Sequence, residues 1–147
     1  VLGQGRSSRL YETIVRQRHL AHSIASWNYT PYDPGIFAVS LRTDPDKVAA
    51  ATQAILDLIE EVKQRGVTDA ELTKAKHQVK ADYLFGLQTI EAKASDLANS
   101  LSTTGDPWFS RRYVEGVERV SREDVQAAAR RYLDPTEFEF TPLKPPY

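Results

Sequence analysis

Apolar side chains near the start of the chain first recur at helical spacing and then alternate with polar ones. The helical spacing predicts a helix over residues 7–20. The alternation covers residues 21–29 and 36–42, which is the pattern of strands with one buried face. Between the two strands, prolines and a glycine at 30–35 predict the turn of an antiparallel hairpin. The apolar stripe of the helix consists of Leu10, Tyr11, Ile14 and Val15.

Start and stop signals predict two further helices after the hairpin. Asp44 followed by Pro45 is typical of a helix start, and Gly66 is placed to end that helix. Residues 68–71, Thr-Asp-Ala-Glu, have the spacing of a capping box and open the next helix. The buried side of the first of these helices is predicted to consist of Val48, Ala51, Ile55, Leu58, Ile59 and Val62.

Glycines and capping patterns divide the rest of the chain. Gly86 lies in the middle of a long helical pattern, where it costs about 1 kcal/mol relative to Ala and could kink or break the helix. Gly105 closes this pattern. Residues 106–107, Asp-Pro, start a short helix that runs through about Gly116, and residues 121–124 cap the last helix.

The end of the chain completes the predicted fold class. Phe138 and Phe140 suggest one more short strand, which makes about five helices and three strands. Segregated elements of this kind indicate an α+β fold, an antiparallel sheet backed by helices, in a single domain over residues 1–140. Residues 141–147 are interpreted as a proline-rich tail. A sheet this thin leaves an open edge, so a homodimer formed through that edge is expected.

Composition narrows the classes of function. The 147 residues are 41% hydrophobic and 27% charged with a net charge of −1, which is ordinary for a soluble domain and argues against nucleic acid as a partner. No apolar run approaches the roughly 20 residues that span a bilayer, so no membrane contact is expected. The absence of Cys excludes disulfides and thiol catalysis. Because the chain begins with Val and contains no Met, an internal piece of a longer protein is expected.

Several motifs resemble those of a known family. Residues 2–11 read Leu-Gly-Gln-Gly-Arg-Ser-Ser-Arg-Leu-Tyr, and residues 20–24 read Leu-Ala-His-Ser-Ile. Together with residues 66–76 and 120–125, they resemble the M16 zinc metallopeptidases, the pitrilysin and mitochondrial-processing-peptidase group, and within it the second, non-catalytic domain. The resemblance implies the LuxS/MPP-like fold. It also implies that strands ahead of this chain complete the sheet.

The zinc-binding motif of that family is not found around the histidines of this chain. His19 and His22 lie three apart without the required Glu, and His77 is followed by Lys80 where Glu is needed. We therefore expect no cofactor in this segment. The resemblance places zinc in the catalytic domain of the parent protein.

The resemblance also suggests two substrate-binding residues. In many family members an Arg and a Tyr, seven residues apart in this domain, bind the substrate backbone and stabilise the oxyanion. His22 stands at the Tyr position, Val15 stands at the Arg position, and Arg16 follows it, about 100° further round a regular helix. His22 and Arg16 are therefore the candidate substrate-binding residues, and surface or packing roles are the alternative.

The resemblance leaves two functions open. The first is a non-catalytic C-terminal domain of an M16-type zinc metalloendopeptidase. Such a domain forms part of a peptide-enclosing chamber and meets a zinc-bearing domain or subunit, with an unfolded peptide as substrate. The alternative is a structural or assembly subunit of the same fold without a proteolytic role. The expected location is the bacterial cytoplasm or periplasm.

Overall fold

The computed structural model describes residues 1–29, 35–134, 136 and 138–141. Within them, two strands and six helices follow one another, with a 3-10 turn at Pro45–Lys47 ahead of the second helix. The strands are β1 (Ser23–Tyr29) and β2 (Ile36–Arg42). The helices are an opening π-helix (Tyr11–Gln17), α1 (Val48–Arg65), α2 (Asp69–Gly86), α3 (Ile90–Thr104), α4 (Phe109–Arg119) and α5 (Arg122–Tyr132).

The opening helix is shorter and more widely wound than its sequence predicts. It covers Tyr11–Gln17 as a π-helix, with its end marked by a bond from the Arg18 amide to the Thr13 carbonyl at 2.9 Å. Leu10 and Ile14 are fully buried, as the apolar stripe requires. The chain then turns through His19, whose φ of 52° lies in the left-handed region.

The predicted hairpin is present, and its register explains its two faces. β1 and β2 pair antiparallel, with Ser23 opposite Arg42 and Tyr29 opposite Ile36. Ile24 is buried opposite the half-buried Leu41, so this face packs on the helices. The Ser26 amide donates to the Gly3 carbonyl at 3.4 Å, which brings the start of the chain against β1. Most of the predicted turn, residues 30–34, lies outside the described residues.

Helix α1 supplies the main packing surface for the sheet. Three of its buried residues join Leu10, Ile14, Ala21 and Ile24 in one apolar core, namely Ala54, Ile55 and Leu58. Gly66 ends the helix with a φ of 72°, as its position predicted, because a left-handed backbone suits glycine. The fully or largely buried side chains of α1 are Ala51, Ala54, Ile55, Leu58 and Val62.

The next helices follow the capping signals of the sequence. Thr68 and Glu71 form the predicted capping box at the start of α2. The long helical pattern breaks at Gly86, where α2 ends, and α3 begins after Thr89, whose hydroxyl accepts from the Ala92 amide at 3.1 Å. Gly105 ends α3 with a φ of 75°.

Helix α5 closes the molecule against the end of α1. Ser121 and Asp124 form the predicted capping box at its start. Gln126 donates to the carbonyls of Lys63 and Gln64, and the Arg130 Nε donates to Lys63 at 2.7 Å. These side chains therefore satisfy carbonyls that the last turn of α1 leaves unpaired.

The prediction of a third strand is wrong for residues 138–141, which are the part of it that the structure describes. Phe138 and Phe140 are 49% and 47% exposed, and residues 138–141 form no strand. A strand needs a neighbour to satisfy its backbone, and the visible sheet contains only β1 and β2. The predicted tail lies outside the described residues, apart from residue 141.

The helical layer formed by α2, α3 and α4 buries little. Within its described side chains, Ser100 alone is buried. Large apolar side chains are exposed instead, with Ile90 at 81% and Phe85 at 70%.

A second small core of Val62, Val67 and Ala129 lies between α1 and α5. None of the helices that the structure describes is long and apolar enough to cross a membrane.

Candidate functional site

His22 stands immediately before β1 and is anchored at both its backbone and its ring. Its amide donates to the Arg42 carbonyl at 2.8 Å. Its Nε2 lies 3.0 Å from the Asp44 Oδ1, while 61% of the side chain stays exposed. The hydroxyl of Thr43 also donates to the carbonyl of Leu20, which ties the end of β2 to the segment that leads into His22.

Asp44 binds side chains where the sequence suggested a helix cap. Its side chain caps no backbone N–H. Its Oδ2 accepts from the Lys47 ammonium at 2.9 Å, on the far side from His22. The hydrogen bond from Lys47, and then the one from His22, hold the pKa of Asp44 below its usual range. His22, Asp44 and Lys47 therefore form a short polar chain at the start of β1, which we call the His22 cluster.

Arg16 is placed apart from this cluster. Its guanidinium donates to both carboxylate oxygens of Glu12, at 3.0 and 3.2 Å, along the opening π-helix. A π-helix has more residues per turn than an α-helix, so the turn from Val15 to Arg16 is smaller than the predicted 100°. No hydrogen bond joins Arg16 to His22 within the described part of the chain.

The face of the hairpin that points away from the helices is open. At its far end it carries aromatic and apolar side chains, with Tyr29 61% and Trp27 49% exposed. At the start of β1 the two strands form a shallow depression of about 250 Å³, which is lined by Ser23, Ile24, Ala25, Ser40, Leu41 and Arg42. We call this the open sheet face, which consists of Ser23, Ala25, Trp27, Tyr29, Ile36, Ala38, Ser40 and Arg42.

The opening motif, residues 2–11, is held to α2 by an ion pair that the sequence did not reveal. Arg9 donates from Nε to Glu71 Oε1 at 2.5 Å and from Nη2 to Oε2 at 2.7 Å. Nη2 also reaches the Gly66 carbonyl at 3.2 Å. Arg9, and after it the bonds from Thr68, lower the pKa of Glu71 to about 2. The capping pattern identified Glu71 only as a helix-start residue, because its partner is distant in sequence.

The sequence model of the peptidase M16 inactive domain matches residues 1–79, which is more than half of the chain. The chain belongs to this family. The match confirms the predicted resemblance and contains both the opening motif and the His22 cluster.

Similar proteins and solved structures agree with this assignment. An uncharacterised zinc protease of Mycobacterium tuberculosis is 30% identical over 132 residues, which cover 90% of this chain and 30% of the relative. The crystal structure of a protease from Helicobacter pylori superposes with a TM-score of 0.84 at 28% identity, over 93% of this chain and 33% of that one. A peptidase M16 inactive domain from Pseudomonas fluorescens has the same fold, with a TM-score of 0.79 at 19% identity over 91% of this chain and 32% of that one.

The M16 inactive-domain chain therefore spans about 30% of the length of the first relatives it matches. Its α+β architecture is that of its structural neighbours, so the predicted fold class is confirmed. The family model matches residues 1–79, whereas the superposition on the Helicobacter pylori protease covers 93% of this chain. The shared fold therefore extends beyond the residues that the family model matches.

The name zinc protease that the relatives carry raises the question of a metal site in this chain. Zinc in proteins needs three or four His, Cys, Asp or Glu ligands that converge on one point. No group of three such side chains converges anywhere in the described ranges. His22 has one carboxylate beside it, and the third neighbour of this cluster is a Lys ammonium, which repels a cation. These residues do not fit a zinc ion.

Proposed function

We propose that this chain is part of the non-catalytic half of an M16-type zinc metalloendopeptidase, where it forms a wall of the peptide-enclosing chamber. The open sheet face is the observation that carries this proposal. It presents strands with small and aromatic side chains and no covering element among the described residues. A surface of this shape suits an extended peptide, because Trp27, Tyr29 and Ile36 offer exposed apolar contact at its far end.

His22 and Arg16 are the residues that we propose contact the peptide. Both side chains are more than 60% exposed, and both are oriented by an acidic neighbour. His22 directly precedes Ser23, which lines the depression at the start of β1, and this makes it the stronger of the two. Arg16 reaches a peptide only if it leaves Glu12, an exposed i,i+4 pair that is worth about 0.5 kcal/mol.

The closing interface with the zinc-bearing domain or subunit is the second part of the proposal. The layer of α2, α3 and α4 supports it, because this layer exposes Phe85, Ile90 and Trp108 and buries little. Exposed apolar side chains in such number mark a surface that meets another protein. Zinc and the catalytic carboxylate are supplied by that partner, and the present chain supplies shape and contacts.

A second copy of the chain is a further partner, through the outer edge of the sheet. β2 is the open edge in this proposal, because residues 1–3 lie against β1 at Ser26 and no described strand lies beside β2. Sedimentation equilibrium tests this directly. A monomer at every concentration up to about 0.1 mM contradicts the dimer.

Peptide binding to the purified chain tests the chamber role. An unstructured fluorescent peptide should bind, and Ala25→Arg on the open sheet face should weaken binding by about fivefold or more, since it places a bulky charged group in the path. Ala94→Arg on the exposed side of α3 is the matched control and should leave binding unchanged. Equal loss in both variants, or no binding by the parent chain, contradicts the proposal.

Turnover by the chain alone is not expected, because its described residues hold no zinc site. The same peptide, made fluorogenic and incubated with zinc, should stay intact. Turnover that a chelator abolishes contradicts this. If the chain binds no peptide but forms a stable complex with another subunit, the structural or assembly role is the better one.

A further inference from the structure

The proton on the ring of His22 can be assigned from its neighbour. A carboxylate only accepts hydrogen bonds, and the bonds from Lys47 and His22 keep Asp44 ionised at neutral pH. The Nε2 of His22, 3.0 Å from the Asp44 Oδ1, must therefore carry the hydrogen.

The other ring nitrogen then has the opposite character. In the neutral imidazole with a proton on Nε2, Nδ1 is an acceptor and cannot donate. Within the residues that the structure describes, Nδ1 has no hydrogen-bond partner, and 61% of the side chain is exposed. Ser23, the next residue in the chain, lines the depression of the open sheet face together with Ala25 and Ser40, and the proposed peptide lies over these residues.

We infer that His22 accepts a hydrogen bond from a backbone N–H of the bound peptide through Nδ1, and that Asp44 is the residue that positions the ring for this. The inference rests on the proposed peptide-binding role. It assigns His22 a function different from that implied by the family resemblance, where the residue at this position helps to stabilise an oxyanion and must donate.

A hydrogen bond from the peptide backbone to Nδ1 restricts which peptides bind. A peptide residue whose nitrogen carries no hydrogen cannot make this bond, so proline and N-alkylated residues are disfavoured at the contact position. The carbonyl groups of the peptide are not what His22 selects. The ligand class is an extended peptide with a free backbone N–H opposite β1.

The experiment is an ester scan of one bound peptide against five forms of the chain. Replacing a single peptide N–H with an ester oxygen removes the donor without adding bulk. At one position the ester should weaken binding to the parent chain by roughly three- to tenfold, the range of one net hydrogen bond. His22→Phe should bind the amide and the ester equally at that position. His77→Phe, an exposed histidine on α2, is the matched control and should behave like the parent chain.

Asp44 variants test the positioning role. Asp44→Asn keeps an oxygen that accepts from Nε2 and should retain the ester effect, whereas Asp44→Ala should reduce it toward that of His22→Phe. The nitrogen spectrum of the His22 ring, recorded without peptide at a pH where the ring is neutral, should show hydrogen on Nε2 and a bare Nδ1 in the parent chain. Hydrogen on Nδ1 overturns the inference.

The outcomes separate the two levels of the proposal. If the parent chain binds none of the peptides, the proposed function fails. If it binds them, but no ester position distinguishes the parent chain from His22→Phe, the inference fails and the proposed function stands. A loss that follows peptide carbonyls in place of N–H groups also overturns the inference.

Discussion

At the scale of single residues, one carboxylate connects two distant parts of the chain. Glu71 accepts from the Thr68 backbone and hydroxyl at the start of α2 and from the guanidinium of Arg9 in the opening motif. The side chains of Arg9 and Glu71 are only 17% and 22% exposed, so solvent screens this pair less than a surface pair. The same residue therefore begins a helix and fixes the turn that precedes the opening helix.

We expect Glu71→Gln to destabilise the chain at neutral pH and much less in acid. The folded pKa of Glu71 is about 2 and its ordinary value is 4.5, so its stabilisation is present above pH 4.5 and is lost as pH falls toward 2. At pH 7 the loss in unfolding free energy should be about 2 kcal/mol after an allowance for screening. Urea unfolding at pH 7 and at pH 3 measures it. Glu115→Gln, which breaks the exposed pair with Arg111, is the control at about 0.5 kcal/mol or less. A Glu71→Gln loss that is equally large at pH 3 contradicts the ion-pair explanation.

His19 offers a stabilising substitution. Its φ of 52° costs a residue with a side chain about 1 kcal/mol, and glycine avoids this cost. Glycine also gains freedom in the unfolded chain, which offsets part of the benefit. We expect His19→Gly to be neutral or to raise the midpoint of thermal unfolding by a few degrees. A clear fall in the midpoint would show that the imidazole makes a stabilising contact.

At the scale of elements, the signals that are local in sequence predicted the structure well. The capping boxes at Thr68 and Ser121 and the glycine at position 105 act within four residues, so the sequence carries all the information they need. The π-winding of the opening helix and the Arg9–Glu71 pair depend on contacts across the fold, which spacing does not encode. The prediction of a third strand was wrong for the same reason. Alternating phenylalanines are compatible with an extended backbone, but they do not show that a neighbouring strand is present to pair with it.

In the candidate site too, the sequence identified features that are local along the chain and missed contacts between distant residues. The motif around residues 20–24 identified His22, since it stands at a family position, and the structure found it exposed beside the sheet. Asp44 looked like a helix cap, because Asp before Pro is typical of one. Its actual partners are His22 and Lys47, of which the first lies 22 residues away.

Substitution of Gly3, with Gly86 as the comparison, tests how closely the start of the chain approaches β1. A Cβ on Gly3 would lie 2.6 Å from the backbone nitrogen of Ser26, so Gly3→Ala must displace β1 or the turn. We expect a loss of about 1–3 kcal/mol in unfolding free energy, as in other overpacked sites. Gly86→Ala is the control, because nothing lies within 4 Å of its Cβ, and it should be neutral or mildly stabilising. Chemical denaturation of both variants checks this, and equal effects would contradict the close approach at Gly3.

At the scale of the whole molecule, stability is distributed unevenly. The hairpin, the opening helix and α1 share one apolar core, and α1 and α5 share a second. Helices α2 to α4 add one buried side chain, Ser100, in the part of them that the structure describes. The molecule therefore has a well-packed side and a side that is held largely by helix-internal bonds and surface contacts.

Hydrogen exchange should reveal this difference. Local opening needs less free energy where few apolar side chains are buried. We expect amides in α3 to exchange at least tenfold faster than those in the middle of α1 under native conditions. Equal protection of α1 and α3 would mean that α3 is stabilised by contacts other than those described above.

The way α5 caps α1 sets a limit on how far the chain can be trimmed. The part that matches the family, residues 1–79, contains the hairpin and all of α1. It does not contain Gln126 or Arg130, whose side chains occupy the carbonyls of Lys63 and Gln64. A fragment cut at residue 79 would leave that helix end open and would expose Val62 and Val67. The smallest segment that we expect to fold as a unit therefore reaches at least to Arg130, well past the boundary that sequence similarity alone would choose.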